Sequence, residues 1–237
     1  MRYQFVDCRW ELMDAEAGRR AYLAGHIPGA AFLDVDADLS DLSVPDAGRH
    51  PLPAAEKFAA AAGRAGIGDG VLVVAYGSGG GPERLWWLLR HFGHDACAVL
   101  LGGVDDWGGE LRAGEEEIEP REFVPRERTG DTIQAAEIMA RLGDPALALV
   151  DARAASRWRG EPNPIDDPPG RIPGAANAPW MEPFPAELPP GELVAYCGSG
   201  VSSCITLHRA WLAGREGRLY PGSWSEWSKR GLPIERD

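Results

Sequence analysis

The sequence predicts an α/β protein of two similar domains, each a mainly parallel sheet flanked by helices. Three observations carry that expectation. An internal duplication runs through nearly the whole chain, short continuous apolar runs have the length of strands, and each run is followed by apolar residues at helical spacing.

The duplication is read by eye. FVDCRW at 5–10 matches LVDARA at 149–154, pairing Asp7 with Asp151 and Arg9 with Arg153. GHIPGAA at 25–31 matches GRIPGAA at 170–176 at an almost unchanged offset. VVAY at 73–76 then matches LVAY at 193–196, and Gly102 and Trp107 match Gly222 and Trp227, both at an offset of 120 against 144 to 145 before. The first copy therefore carries an insertion, and DVDADLSDLSVPDAGRHPLP at 34–53 is where it falls.

Each copy reads in one order. A short apolar strand ends in aspartate (QFVD, ALALVD), a polar helix follows, and the chain turns at IPGA. A buried strand comes next (VLVVAY, ELVAY), then a loop of small residues and a helix with an apolar face (RLWWLLRHFG, ITLHRAWLAG). Strand, loop and helix repeated this way imply parallel sheets. The stretch 108–130, GGELRAGEEEIEPREFVPRERTG, has linker composition. It puts the boundary near residue 120, giving domains 1–120 and 121–237.

Composition narrows the function. A formal charge of −12 argues against nucleic acid or an anionic membrane surface as partner, since both demand a basic stripe. No apolar run reaches the roughly 18–20 residues of a membrane span, and the N-terminal residues lack a basic region followed by an apolar one. The expectation is a cytoplasmic protein. Four cysteines without a CxxC pair are read as reduced thiols, and the histidines at 26, 50, 91, 94 and 208 form no ligand spacing, so neither metal nor cofactor is expected.

In parallel sheets, sites form beyond the carboxyl ends of strands, where loops enter helices. After the second VAY run stands Cys197-Gly198-Ser199-Gly200-Val201-Ser202; after the first stands Gly77-Ser78-Gly79-Gly80-Gly81-Pro82. A cysteine that opens a glycine-rich turn can be surrounded by inward-pointing N–H groups and the positive end of a helix dipole, both of which favour thiolate. The same cradle would hold an anionic persulfide. Cys8, Cys97 and Cys204 read as packing residues.

The VDxR, GxIPGA, YCGSGVS and GSWSEW segments, in this order and duplicated, resemble the tandem rhodanese family, in its 3-mercaptopyruvate sulfurtransferase branch. The resemblance runs from Phe5 to about Pro233. It implies two rhodanese-like domains, only the second bearing the nucleophile. It implies an enzyme in which Cys197 takes sulfur from a small anionic donor, mercaptopyruvate before thiosulfate, and passes it to cyanide or to a thiol acceptor such as thioredoxin. Gly198 and Ser199 stand where thiosulfate-preferring members carry basic residues. The resemblance further implies a relay of Ser199, His50 and Asp36, the latter two from the inserted region, which would set the active site between the domains. Arg157 would bind the donor's anionic end, and Gly198, Gly200, Val201 and Ser202 of the loop would be the other substrate-binding residues.

Two departures stand out. Gly77 occupies the position of the nucleophile in the first copy, and Ile165 stands where the branch usually carries a second arginine after Pro-x-Pro; Arg159 and Arg171 are the nearby substitutes. A cysteine phosphatase of related fold would need an arginine where Ser203 and Cys204 stand. A sulfur carrier or regulatory module with little turnover is the alternative outside catalysis.

Overall fold

A computed structural model describes residues 2–237. The chain divides into two compact units, one of residues 1–41 and 52–128, the other of residues 42–51 and 129–237.

The first unit contains β1 (Arg2–Asp7), α1 (Ala17–Ala24), β2 (Ala31–Phe32), α2 (Ala55–Arg64), β3 (Val71–Tyr76), α3 (Gly81–His91) and β4 (Cys97–Val99). Its four strands lie in the order β2-β1-β3-β4, all parallel. The second unit contains α4 (Ala135–Ala140), β5 (Leu147–Asp151), α5 (Ala155–Arg159), β6 (Ala176–Asn177), β7 (Glu192–Tyr196), α6 (Ser203–Leu212), β8 (Gly217–Leu219) and α7 (Ser223–Lys229). Its order, β6-β5-β7-β8, repeats the first, again parallel throughout. The expected fold class holds element by element. The repeat extends to register: Asp7 pairs with Tyr76 in one sheet and Asp151 with Tyr196 in the other.

The matched motifs do matched work. Arg153 donates through Nη2 to Asp151 Oδ2 (2.6 Å) and to the carbonyl of Gly170 (2.7 Å), tying the end of β5 to the GRIPGAA turn. Arg9 repeats this with Asp7 and the carbonyl of Gly25. The hydroxyls of Tyr76 and Tyr196 accept from the amides of Ile27 and Ile172, each at 3.2 Å. Both tyrosines are fully buried, so their hydroxyls need partners inside the protein.

The core of the second unit joins Leu149 and Val194 of the central strands to Ile133, Ile138, Ile172, Tyr220, Trp224 and Trp227. In the first unit Leu85, Leu88 and Leu89 of α3 are fully buried, and Phe58 of α2 stacks on Phe92 with ring centroids 4.9 Å apart. Helix α2, which follows the insertion, has no counterpart between β6 and β7. Among the described residues no helix is long and apolar enough to cross a membrane.

Candidate active site

Strand β7 ends at Tyr196, and Cys197 is the first residue beyond it, buried with its neighbours Gly198, Ser199, Gly200 and Val201. The loop is pinned from both sides. The Cys197 amide donates to Ser223 Oγ (3.2 Å), the Trp224 amide to the Cys197 carbonyl (3.0 Å), and the Ser225 amide to the Gly198 carbonyl (3.0 Å). Ser223 takes a positive φ of 52°, a strained conformation for a side-chain-bearing residue, and its hydroxyl donates onward to the Tyr220 carbonyl (2.9 Å). At Gly200 the strain is avoided by residue choice: φ is +83°, and a Cβ there would stand 2.6 Å from the Pro221 carbonyl oxygen.

The Cys197 sulfur accepts the Gly200 amide at 3.1 Å. Burial pushes the thiol up, but the Ser202 hydroxyl, the Ser199 amide and the hydroxyl and amide of Ser203 more than offset it, and the net pKa is lowered from 9.0. The buried Ser203 hydroxyl has no hydrogen-bond partner in the protein, so its proton can be given to a thiolate at Cys197. The same burial prevails at Cys8, where the thiol pKa is raised, and at Cys97, where it is pushed up to about 12. Cys204 sits in α6 with its sulfur 3.4 Å from the Gly200 carbonyl.

Ser199 Oγ and His50 Nδ1 are 2.7 Å apart, and both residues are buried. His50 reaches this position because residues 42–51 fold with the second unit. The Arg49 amide donates to Ser225 Oγ (3.0 Å), and Gly48, at φ +92°, packs so closely that a Cβ would lie 2.7 Å from the Gly222 carbonyl oxygen. Asp36 belongs to the first unit, in the turn after β2, where its amide donates to Asp34 Oδ1 (2.8 Å).

Arg157 on α5 holds Asp166 through two hydrogen bonds of 2.6 and 2.7 Å. Asp166 also accepts from Arg153 at 3.1 Å. Burial raises the Asp166 carboxyl pKa, but the arginines overcome this and lower it on balance, so the carboxylate stays ionised. The Arg157 guanidinium also lies over the Cys197 loop, since a Cβ on Gly198 would be 2.9 Å from its Nη2. The two substitutes read from sequence are engaged elsewhere. Arg159 pairs with Glu161 (2.7 Å), and Arg171 pairs with Glu235 and Asp237 while lying over the Trp158 ring.

The corresponding loop of the first unit cannot hold a nucleophile without moving. A Cβ on Gly77 would lie 2.7 Å from the Arg9 amide nitrogen, and one on Gly81 would lie 2.0 Å from the Cys8 carbonyl oxygen. Sequence reasoning missed three contributors: Asp166, Ser223 and Arg49. The first stands two residues after Pro162-Asn163-Pro164, the second inside GSWSEW and the third beside His50, so each lay next to a recognised motif without matching a pattern itself.

Comparison with known proteins finds the Rhodanese-like domain family matching this chain twice, over residues 2–110 and 134–230. A probable 3-mercaptopyruvate sulfurtransferase of Pseudomonas aeruginosa is 41% identical over 249 residues, covering 94% of this chain and 88% of the relative. A putative thiosulfate sulfurtransferase of Mycobacterium tuberculosis is 34% identical over 255 residues, 94% of this chain and 87% of the relative. Among solved structures, the 3-mercaptopyruvate sulfurtransferase from Leishmania major matches with a TM-score of 0.83 and 30% identity, covering 97% of this chain and 71% of that one.

Proposed function

The chain belongs to the rhodanese family, one domain in each half, and from that premise we propose that it is a sulfurtransferase which takes sulfur from 3-mercaptopyruvate through a Cys197 persulfide. The observation that carries the reading is the Cys197 thiol, lowered in pKa at the head of a loop whose amides and hydroxyls face it. Relatives named for mercaptopyruvate and for thiosulfate support sulfur transfer, and the first of these is the more similar.

In the proposed reaction the Cys197 thiolate attacks the donor's sulfur. The thiolate electron pair forms the S–S bond, and the pair of the breaking C–S bond passes to carbon as the enolate of pyruvate. The donor's thiol proton moves to Ser199 and His50, which share a hydrogen bond of 2.7 Å, and returns to the enolate carbon. Charge and protons balance: thiolate and mercaptopyruvate give persulfide anion and pyruvate. Asp36 is the proposed third member of the relay, as a positioning residue for His50. Arg157 binds the donor's carboxylate, and Gly200, Val201 and Ser202 cradle the anionic outer sulfur. A thiol acceptor, thioredoxin among the candidates, then takes that sulfur and leaves Cys197 as thiol. Thiosulfate enters by the same attack with sulfite leaving, and needs no proton.

The test is intact mass after treatment with each donor. Wild type gains one sulfur and Cys197→Ser gains none, with an unchanged far-UV spectrum. Sulfur added to Cys8, Cys97 or Cys204 in the variant would refute the assignment. Specificity constants measured side by side are expected to favour mercaptopyruvate over thiosulfate.

A further inference from the structure

The two copies of the fold differ by one buried carboxylate. In both, an arginine two residues beyond the strand-end aspartate is held by that aspartate and by a glycine carbonyl, Arg9 by Asp7 and Gly25, Arg153 by Asp151 and Gly170. Among the described residues Arg9 pairs with no other carboxylate, whereas Arg153 has a third partner, Asp166, at 3.1 Å. Asp166 thus belongs to the copy that carries the nucleophile and has no equivalent in the copy that lacks it. We infer that Asp166 limits the positive charge around Cys197, so that a singly charged sulfur donor is taken in preference to a doubly charged one. The inference rests on the sulfurtransferase reading and adds to it the residue that sorts donors by charge.

The neutral side of the loop cannot do this alone. Gly198 and Ser199 bring no charge, but three guanidinium groups surround them. A Cβ built on Gly198 would meet Arg49 Nη2 at 2.6 Å and Arg157 Nη2 at 2.9 Å, and Arg153 lies over the rings of Tyr196 and Trp224, the residues whose backbone brackets Cys197. Two carboxylates with fully buried side chains answer these cations, Asp151 and Asp166. One positive charge is left in excess, the match for a monocarboxylate such as 3-mercaptopyruvate. Without Asp166 the excess would double and suit a dianion such as thiosulfate.

Asp166 is built to stay charged and in place. Its amide and that of Ile165 donate to Asn163 Oδ1 at 2.9 and 3.0 Å, which sets the turn that carries it. Its two oxygens accept from Nε and Nη2 of Arg157 at 2.6 and 2.7 Å, a fork-to-fork pair that fixes the guanidinium plane and leaves Nη1 outside it. Burial raises the carboxyl pKa, and the arginines more than offset that rise, so the negative charge persists. A charge held out of water acts on a nearby anion with little screening.

The experiment uses the full-length protein and the variants Asp166→Asn and Asp166→Glu. The reading is the ratio of kcat/KM for 3-mercaptopyruvate to that for thiosulfate, which does not depend on the folded fraction of a preparation. Asp166→Asn keeps the shape and removes the charge, and should move the ratio roughly ten- to a hundredfold toward thiosulfate. Asp166→Glu keeps the charge and should leave the ratio near that of wild type, whatever it costs in absolute rate. Wild type alone gives a second reading: at matched ionic strength methanesulfonate, a monoanion, should inhibit more strongly than sulfate, a dianion of similar shape. If wild type gains no sulfur from either donor, the sulfurtransferase reading fails and takes the inference with it. If wild type is active and Asp166→Asn keeps its ratio, losing both donors equally or neither, charge selection is overturned and Asp166 is a brace for Arg157. An equal shift in Asp166→Glu, or stronger inhibition of wild type by sulfate, overturns it as well.

Discussion

Replacing Gly198 with alanine tests the proposed donor site without substituting any charged group. No positive φ constrains this glycine, so the backbone accepts alanine, but the new methyl would stand 2.6 Å from Arg49 Nη2 and 2.9 Å from Arg157 Nη2, where ordinary contacts begin at 3.4 Å. Each guanidinium must retreat by about half an ångström to an ångström. Both contacts are with the ends of flexible side chains, so the fold survives and the melting temperature should shift by no more than a few degrees. The donor's binding should suffer. Loss of one charge-assisted hydrogen bond is worth about 1.5–3 kcal/mol, or roughly ten- to a hundredfold in kcat/KM for mercaptopyruvate. Steady-state kinetics with thermal melts in parallel give the answer. An unchanged kcat/KM would refute the proposal that Arg157 binds the donor beside Gly198, and a collapse in stability would show that the methyl is resisted by something stiffer than two side-chain tips.

Three further outcomes are expected. The rate of persulfide formation should rise with pH through the Cys197 pKa and level off below 9.0, because a lowered pKa makes thiolate available at lower pH; Ser202→Ala should move that limb upward, and a wild-type limb at or above 9.0 would contradict the loop's effect. His50→Ala should depress mercaptopyruvate turnover by roughly 10²- to 10⁴-fold and thiosulfate turnover far less, since only the former donor brings a thiol proton; equal losses with both donors would remove the relay. His208, whose pKa is lowered to about 4 by burial and by Arg209, stays neutral in the fold, while an unfolded histidine protonates near 6.5. Its contribution to stability is thus present above pH 6.5 and is lost as pH falls toward 4, by about 1–3 kcal/mol. The melting temperature of His208→Gln should accordingly fall less over that range than that of wild type.

The architecture was legible because the duplication reports on itself. VLVVAY and ELVAY are too short and too continuous for surface helices, and paired aspartates at the ends of QFVD and ALALVD fix the register of the strands beside them. Cys197 was legible for a local reason, a thiol followed by small residues that leave amides uncovered. Arg49 and Asp166 were not, because their partners are distant in sequence: Arg49 meets Ile165 across more than a hundred residues, and no periodicity encodes such a contact. Ser223 escaped for a different reason, since a positive φ at a serine breaks the local preference that sequence reading depends on.

The grouping of residues 42–51 with the second unit bears on how the protein is made. Synthesis runs from the N-terminus, and domains generally fold as they emerge. All of the first unit has been translated by Arg128, yet residues 42–51 leave the ribosome with it and find their partners only when Ile165, Ser199, Gly222 and Ser225 arrive. Arg49 and His50 must therefore wait through most of translation as parts of an open loop. Their docking is a closing event of biogenesis, so a chain that stops before Ser225 lacks the anchor that holds them to the Cys197 loop.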